Sequence, residues 1–180
     1  MLSAILNRYQ GQRYFDISST GIINVLSRLP RFVGWGSREI TVLHHSLHVL
    51  SLCRLECPTN TRLQLLALVH DFPEAIYGDI PSYIKENFSE EDKNFLWCID
   101  RELYEKLGID YPTHSESEII KKYDLQALTI EAEYVFAEEF DPKDWPRSSI
   151  IDPKYLYDIL WWDDSRDTAN HEFKTLMENQ

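Results

Sequence analysis

Residues 67–85 read ALVHDFPEAIYGDIPSYIK: His70 and Asp71 stand side by side, Glu74 follows one helical turn later, and Asp79 follows Gly78. The leucines before them send this segment toward the interior, where a carboxylate is costly unless it is paired, hydrogen-bonded or bound to a cation. Two other stretches offer partners. VLHHSLHV carries His44, His45 and His48, and IIKKYDLQALTI sets Asp124 into an otherwise apolar register directly after Tyr123. His45 lies two residues before Leu47 and five before Leu50, which brings it near the apolar face, whereas the i,i+4 neighbours His44 and His48 are expected on the flank. One histidine, a His-Asp pair and a further aspartate from separate helices make a mixed nitrogen and oxygen donor set. Such a set suits one divalent transition metal: Mn²⁺, Fe²⁺, Co²⁺, Ni²⁺ or Zn²⁺. Each piece also has a plain alternative: a core histidine bonded to its neighbours, an Asp124 paired with Lys121 or Lys122, a solvent-facing HHSLH patch.

The elements that must carry these residues read as helices. Glycines are few (6 in 180 residues), and alternating apolar–polar runs are scarce. Ser18 or Ser19 caps a first helix with Ile22, Val25, Leu26 and Leu29 at helical spacing. A loop through Arg31, Phe32, Val33 and Trp35 leads to a second helix, from about Arg38 to Leu55, with Ile40, Leu43, Leu47 and Leu50 in one stripe. TRLQLLALVHDFPEAIY is the apolar central helix, in which Pro73 is expected to free the Val69 carbonyl and bend the chain. Pro81 and Ser82 open a short helix, Ser89 caps another that stops at Gly108, and a long one runs from about Ser117 to Phe140. Asp152 and Pro153 start the last. The expectation is a single all-α domain spanning residues 1–180, a bundle of about seven helices.

Composition narrows the function classes. With 43% hydrophobic and 13% aromatic residues the chain is globular, and a net charge of −12 argues against binding a nucleic-acid polymer. A small phosphorylated ligand stays compatible, because a metal and a few local cations reverse the field inside one cleft. Cys53, Cys57 and Cys98 form no paired framework and read as reduced, mostly buried thiols of a cytoplasmic protein. The opening MLSAILNRYQGQRYF is too short in apolar run for a signal peptide, and no membrane partner is expected.

The order His45, His70-Asp71, Asp124 on successive helices resembles the H…HD…D signature of HD-domain phosphohydrolases. HDFPEAIYGDIPSYIK is similar to the HD-x-x-E-x-x-x-G-D-[ILV]-P segment of bacterial 5′-deoxynucleotidases and the small phage-type HD hydrolases, phage dATP triphosphohydrolases among them. RYFDI, LSRLPRF and HHSL resemble phage-type segments in the same order, over roughly residues 12–140. The resemblance implies metal ligation by His45, His70, Asp71 and Asp124, with Glu74 beside the metal and Asp79 in the Gly-Asp-Ile-Pro turn. It departs at His44, where many relatives carry Glu or Gln, and at Trp35, where phage relatives often carry a histidine in a loop that borders the nucleotide.

On these expectations Glu74 does general acid/base work and Asp79 orients the attacking water or protonates the leaving oxygen. Both have structural alternatives, a salt bridge for Glu74 and a helix cap for Asp79. Arg31 is the first candidate for phosphate, then Lys85 and Lys121, while Phe32 and Trp35 offer an apolar wall for a base, Trp35 being equally readable as core. The expected activity is phosphate removal from a deoxynucleotide, either a monophosphate or a dNTP, the latter admitting an additional Mg²⁺. The alternative is an inactive HD scaffold that binds a nucleotide or a protein partner. A two-metal phosphodiesterase centre is not expected, since no histidine occurs between His70 and His114. The resemblance further implies a homo-oligomer, a dimer or larger, in the cytoplasm of a bacterium or a phage-infected host.

Overall fold

The computed structural model describes residues 16–145 and 165–180, and every regular element among them is helical. Helix α1 (Ser19–Leu26) begins where the Ser18 side chain accepts the Gly21 amide hydrogen. Helix α2 (Val42–Glu56) opens on a reciprocal cap, Thr41 accepting from the His44 amide and His44 Nδ1 accepting from the Thr41 amide. It therefore starts a turn later than the apolar stripe alone suggests. Asn60 caps α3 (Thr61–Val69). The single turns α4 (Glu74–Tyr77) and α5 (Ser82–Lys85) follow, then α6 (Glu90–Lys106), α7 (His114–Phe136) and α8 (Ser165–Glu178). Ser89 and Thr113 head α6 and α7 with capping boxes closed by Asp92 and Glu116. The helix start read at Asp152 and Pro153 lies outside the described residues.

Helix α2 packs against both α3 and α7, and α8 covers α1, α2 and α3. Their shared core contains Leu43, Leu47, Leu50, Leu65, Leu66, Leu68, Phe72, Leu103 and Tyr123. Arg54 of α2 forms a bidentate ion pair with Glu172 of α8. Three expectations fail here. Val25 is exposed, Ile23 taking its place inside, because α1 buries Gly21, Ile22, Ile23 and Leu26. Of the cysteines only Cys53 is fully buried; Cys57 and Cys98 are partly exposed, and all three are free. The central helix does not run on through Pro73, and the Val69 carbonyl is not freed: it accepts the Phe72 amide hydrogen. From there Glu74 bonds Asp71, Ala75 bonds Phe72 and Ile76 bonds Pro73, so the chain tightens to i→i−3 bonding where proline lacks a donor.

The loop after α1 carries backbone strain. Phe32 (φ 55°) and Val33 (φ 56°) both sit in the left-handed region, which a β-branched residue rarely adopts. Gly36 presses onto α7, where a Cβ would lie 2.3 Å from Val135 Cγ1, and the Ser37 amide donates to the Val135 carbonyl at 2.9 Å. Val33→Gly is expected to raise stability by about 1 kcal/mol in a denaturant titration, by relieving this strain. A loss of stability would show that the Val33 side chain, 58% exposed, contributes packing that outweighs it.

No helix among the described residues is long and apolar enough to cross a membrane.

Candidate metal centre

Three donor atoms, from His45, His70 and Asp124, lie within 4.8 Å of one another, and Asp71 adjoins the two histidines. His45 lies on α2, His70 ends α3, Asp71 opens the tight turn after it, and Asp124 lies on α7. His45 Nε2 is 3.2 Å from His70 Nε2, 3.2 Å from Asp124 Oδ1 and 3.4 Å from Asp71 Oδ2, while His70 Nε2 is 3.3 Å from the same Asp71 oxygen. Two donors about 2.1 Å from one ion stand about 3.0 Å apart at an octahedral right angle and about 3.4 Å apart at the tetrahedral angle. The observed edges fall between those limits.

The outer nitrogens of the rings decide what faces the centre. His45 Nδ1 lies 3.0 Å from both oxygens of Glu131, and His70 Nδ1 lies 2.8 Å from the Ala67 carbonyl oxygen. Both partners only accept, so both Nδ1 atoms carry the hydrogen, an assignment that rests on these partners. Both Nε2 atoms then face each other and two carboxylates. Four electron-rich atoms at this spacing repel unless positive charge lies among them. Burial and Arg31 work against a charge on the His45 ring, yet Glu131 and Asp124 outweigh them and raise its pKa to about 10. Burial likewise opposes ionisation of Asp71 and Asp124, but the two histidines hold both carboxyls well below the usual range. Two carboxylates and two neutral imidazoles match the charge of one divalent cation, and outer-shell bonds of this kind orient metal-binding histidines. His45, His70 and Asp124 could thus hold a metal ion.

Glu131 is the residue sequence reasoning missed. It is fully buried on α7, accepts from His45 and from His48 Nδ1 at 2.7 Å, and lies 3.0 Å from Arg31 Nε in an ion pair angled outside hydrogen-bond geometry. Burial opposes its charge, and His45 and Arg31 overcome that to depress its pKa. Its signal was its spacing, two helical turns after Asp124 on the same face. His48 was expected on the flank and is instead buried beside Glu131, because His45 and His48 at i,i+3 form the inward stripe. His44 serves the α2 cap.

Glu74 is buried with Oε2 unpartnered among the described residues, while Oε1 lies 3.4 Å from Lys85 Nζ. Burial, then Asp71 and Asp79, push its pKa up to about 9. Asp79 is half-buried, its pKa also raised chiefly by burial, and Pro81 heads α5 without a side-chain cap, so Asp79 is not a helix cap. Gly78, at φ 86°, makes the turn between them.

The expected phosphate and base residues divide. Arg31 is buried, with Nη1 3.7 Å from Asp71 in addition to its Glu131 contact. Lys121 pairs with Asp124 Oδ2, leaving Oδ1 toward His45. Phe32 packs edge-on against Phe136 and Trp145. Trp35 is 74% exposed, which removes the core-packing reading. No protein-family model matches the chain, and no curated protein matches it.

Proposed function

We propose that the chain is a metal-dependent phosphohydrolase acting on a small deoxynucleotide, the reading its resemblance to HD-domain phosphohydrolases also implies. The observation that carries it is the pair of Nε2 atoms that face each other between two carboxylates, each ring oriented by its Nδ1 contact. His45, His70, Asp71 and Asp124 would hold the ion. When bound, a divalent ion supplies a Lewis acid that lowers the pKa of water and draws charge from phosphoryl oxygens.

The chain's own residues do the rest. Glu74, with its pKa at about 9, holds a proton at neutral pH and gives it to the leaving oxygen. Lys85 lies against the other Glu74 oxygen, ready to take up the carboxylate left behind. Asp79 orients the attacking water. Arg31, Lys85 and Lys121 ring the centre, but each already faces a site carboxylate, and Lys122 pairs with Glu56 while Arg38 stacks on Tyr134. A triphosphate needs several uncommitted cations, so this arrangement favours a monophosphate.

The test is phosphate, pyrophosphate and triphosphate release from a panel of dNMPs and dNTPs with Mn²⁺, Co²⁺, Mg²⁺ or Zn²⁺, with bound metal counted by mass spectrometry. His70→Ala is expected to lose the ion and to cut turnover by more than about a hundredfold. Metal bound by the wild type and lost in the variant, with no substrate turned over by either, would instead leave a nucleotide-binding scaffold.

A further inference from the structure

A cavity of about 200 Å³ adjoins the donor cluster, with His70 and Asp124 in its wall. The wall also contains Asp100 and Tyr104 of α6, Tyr111 of the α6–α7 connection, and Lys121. Pockets for whole drug-sized ligands run to about 300–1,000 Å³, so this one takes one planar base and not a complete nucleotide. Its aromatic side is held from behind. Tyr104 and Tyr111 meet edge to face at 5.3 Å, Trp97 meets Tyr111 at 6.4 Å, and the Arg101 guanidinium lies over both Trp97 and Tyr111. Asp100 accepts one hydrogen bond from the Tyr77 hydroxyl at 3.2 Å, and a carboxylate has acceptor capacity for more.

We propose that this cavity receives the planar base of the substrate and that Asp100 accepts a hydrogen bond from an N–H on the edge of that base. The inference rests on the phosphohydrolase reading for its placement, because a phosphate held at the donor cluster puts the attached organic group beside His70 and Asp124. Two flat tyrosine rings suit a π face. A half-buried carboxylate rejects an acceptor-only edge and rewards a donor. Burial lifts Asp100 to about 6 against the Tyr77 and Lys85 contributions, so at neutral pH it is mainly an ionised acceptor. Asp100 is a specificity residue on this account and takes no part in the proton transfers.

Asp100→Asn tests it cleanly. The asparagine carbonyl keeps the bond from Tyr77, which turns the amide donor toward the cavity and against an N–H of the base. KM for dAMP and dCMP is expected to rise by about 10- to 100-fold with kcat held, while hydrolysis of deoxyribose 5-phosphate, which has no base, is unchanged. Unchanged KM values, or equal losses on deoxyribose 5-phosphate, overturn the assignment. A second arm does not depend on turnover: deoxyadenosine and deoxycytidine should raise the melting temperature of the wild type and not of Asp100→Asn. Nucleosides that protect neither protein, or both alike, overturn the subsite whatever the phosphate assay gives. Protection lost in Asp100→Asn, with no phosphate ester hydrolysed, would support the pocket and overturn the hydrolase reading.

Discussion

Glu131→Gln is expected to weaken metal binding by about 10- to 100-fold and to lower stability by about 3 kcal/mol. Both effects come from one carboxylate that receives His45, His48 and Arg31 at once. An amide presents one oxygen and one NH₂, so at least one of these donors meets another donor. Arg31, buried and raised in pKa by Glu131 and Asp71 against its desolvation, loses its nearer counter-charge. His45 Nδ1, 3.0 Å from both carboxylate oxygens, keeps one neutral carbonyl acceptor and meets an NH₂ where the other oxygen stood, so its orientation toward an ion is held less firmly. A chelator competition and a denaturant titration measure the two quantities separately. A stability loss with unchanged metal affinity would reduce Glu131 to a packing element.

Glu74→Gln should move activity and stability in opposite directions. Turnover is expected to fall by about 10²- to 10⁴-fold, the usual loss when a general acid is removed, while the metal-free protein becomes more stable at neutral and alkaline pH. The sign follows from the direction of the shift. The folded Glu74 carboxyl sits at about 9 and the ordinary value is 4.5, so the native state holds the proton over a range where the unfolded chain has released it. Below about pH 4.5 wild type and variant should melt alike with respect to this group. As pH rises toward 9 the wild type progressively loses stability and the glutamine does not, with a gap of about 1–3 kcal/mol at the upper end. Melting curves in chelator from pH 4.5 to 9 measure it. A gap that shrinks with rising pH would mean that Glu74 is ionised in the native state and acts as a base.

What could be read from sequence was mostly local. Ser18 and Ser89 cap helices through bonds to amides three residues away, so a short window contains the whole interaction. The stop at Gly108 is local too: its φ of 71° ends α6. His45, His70, Asp71 and Asp124 were each visible as polar residues in apolar stretches, where their burial raised the question of a partner. Glu131 escaped because it sits among other acids in TIEAEYVFAEE, where nothing within a few residues separates the one buried carboxylate from its solvated neighbours. Its partners come from α2 and the Arg31 loop, 83 residues or more away. His48 was misplaced by treating His44 and His48 as a pair, when the Thr41 cap takes His44 and frees His48 to follow His45 inward. At Pro73 the missing amide was foreseen, but the local answer, a run of i→i−3 bonds that reuses the Val69 carbonyl, was not.

The wide separation of the donors along the chain bears on folding as well as chemistry. His45 and His70 are 25 residues apart, and His45 and the carboxylate behind it are 86 apart. No short piece of unfolded chain gathers them, so an ion that binds here binds the native state almost exclusively. Mass action then adds to the folding equilibrium, by about 2.7 kcal/mol when free ion exceeds its dissociation constant a hundredfold. A shortage of metal would be felt first as a larger unfolded fraction open to proteases. The amount of protein in a cell, and not only the rate at which each molecule works, would follow the metal supply.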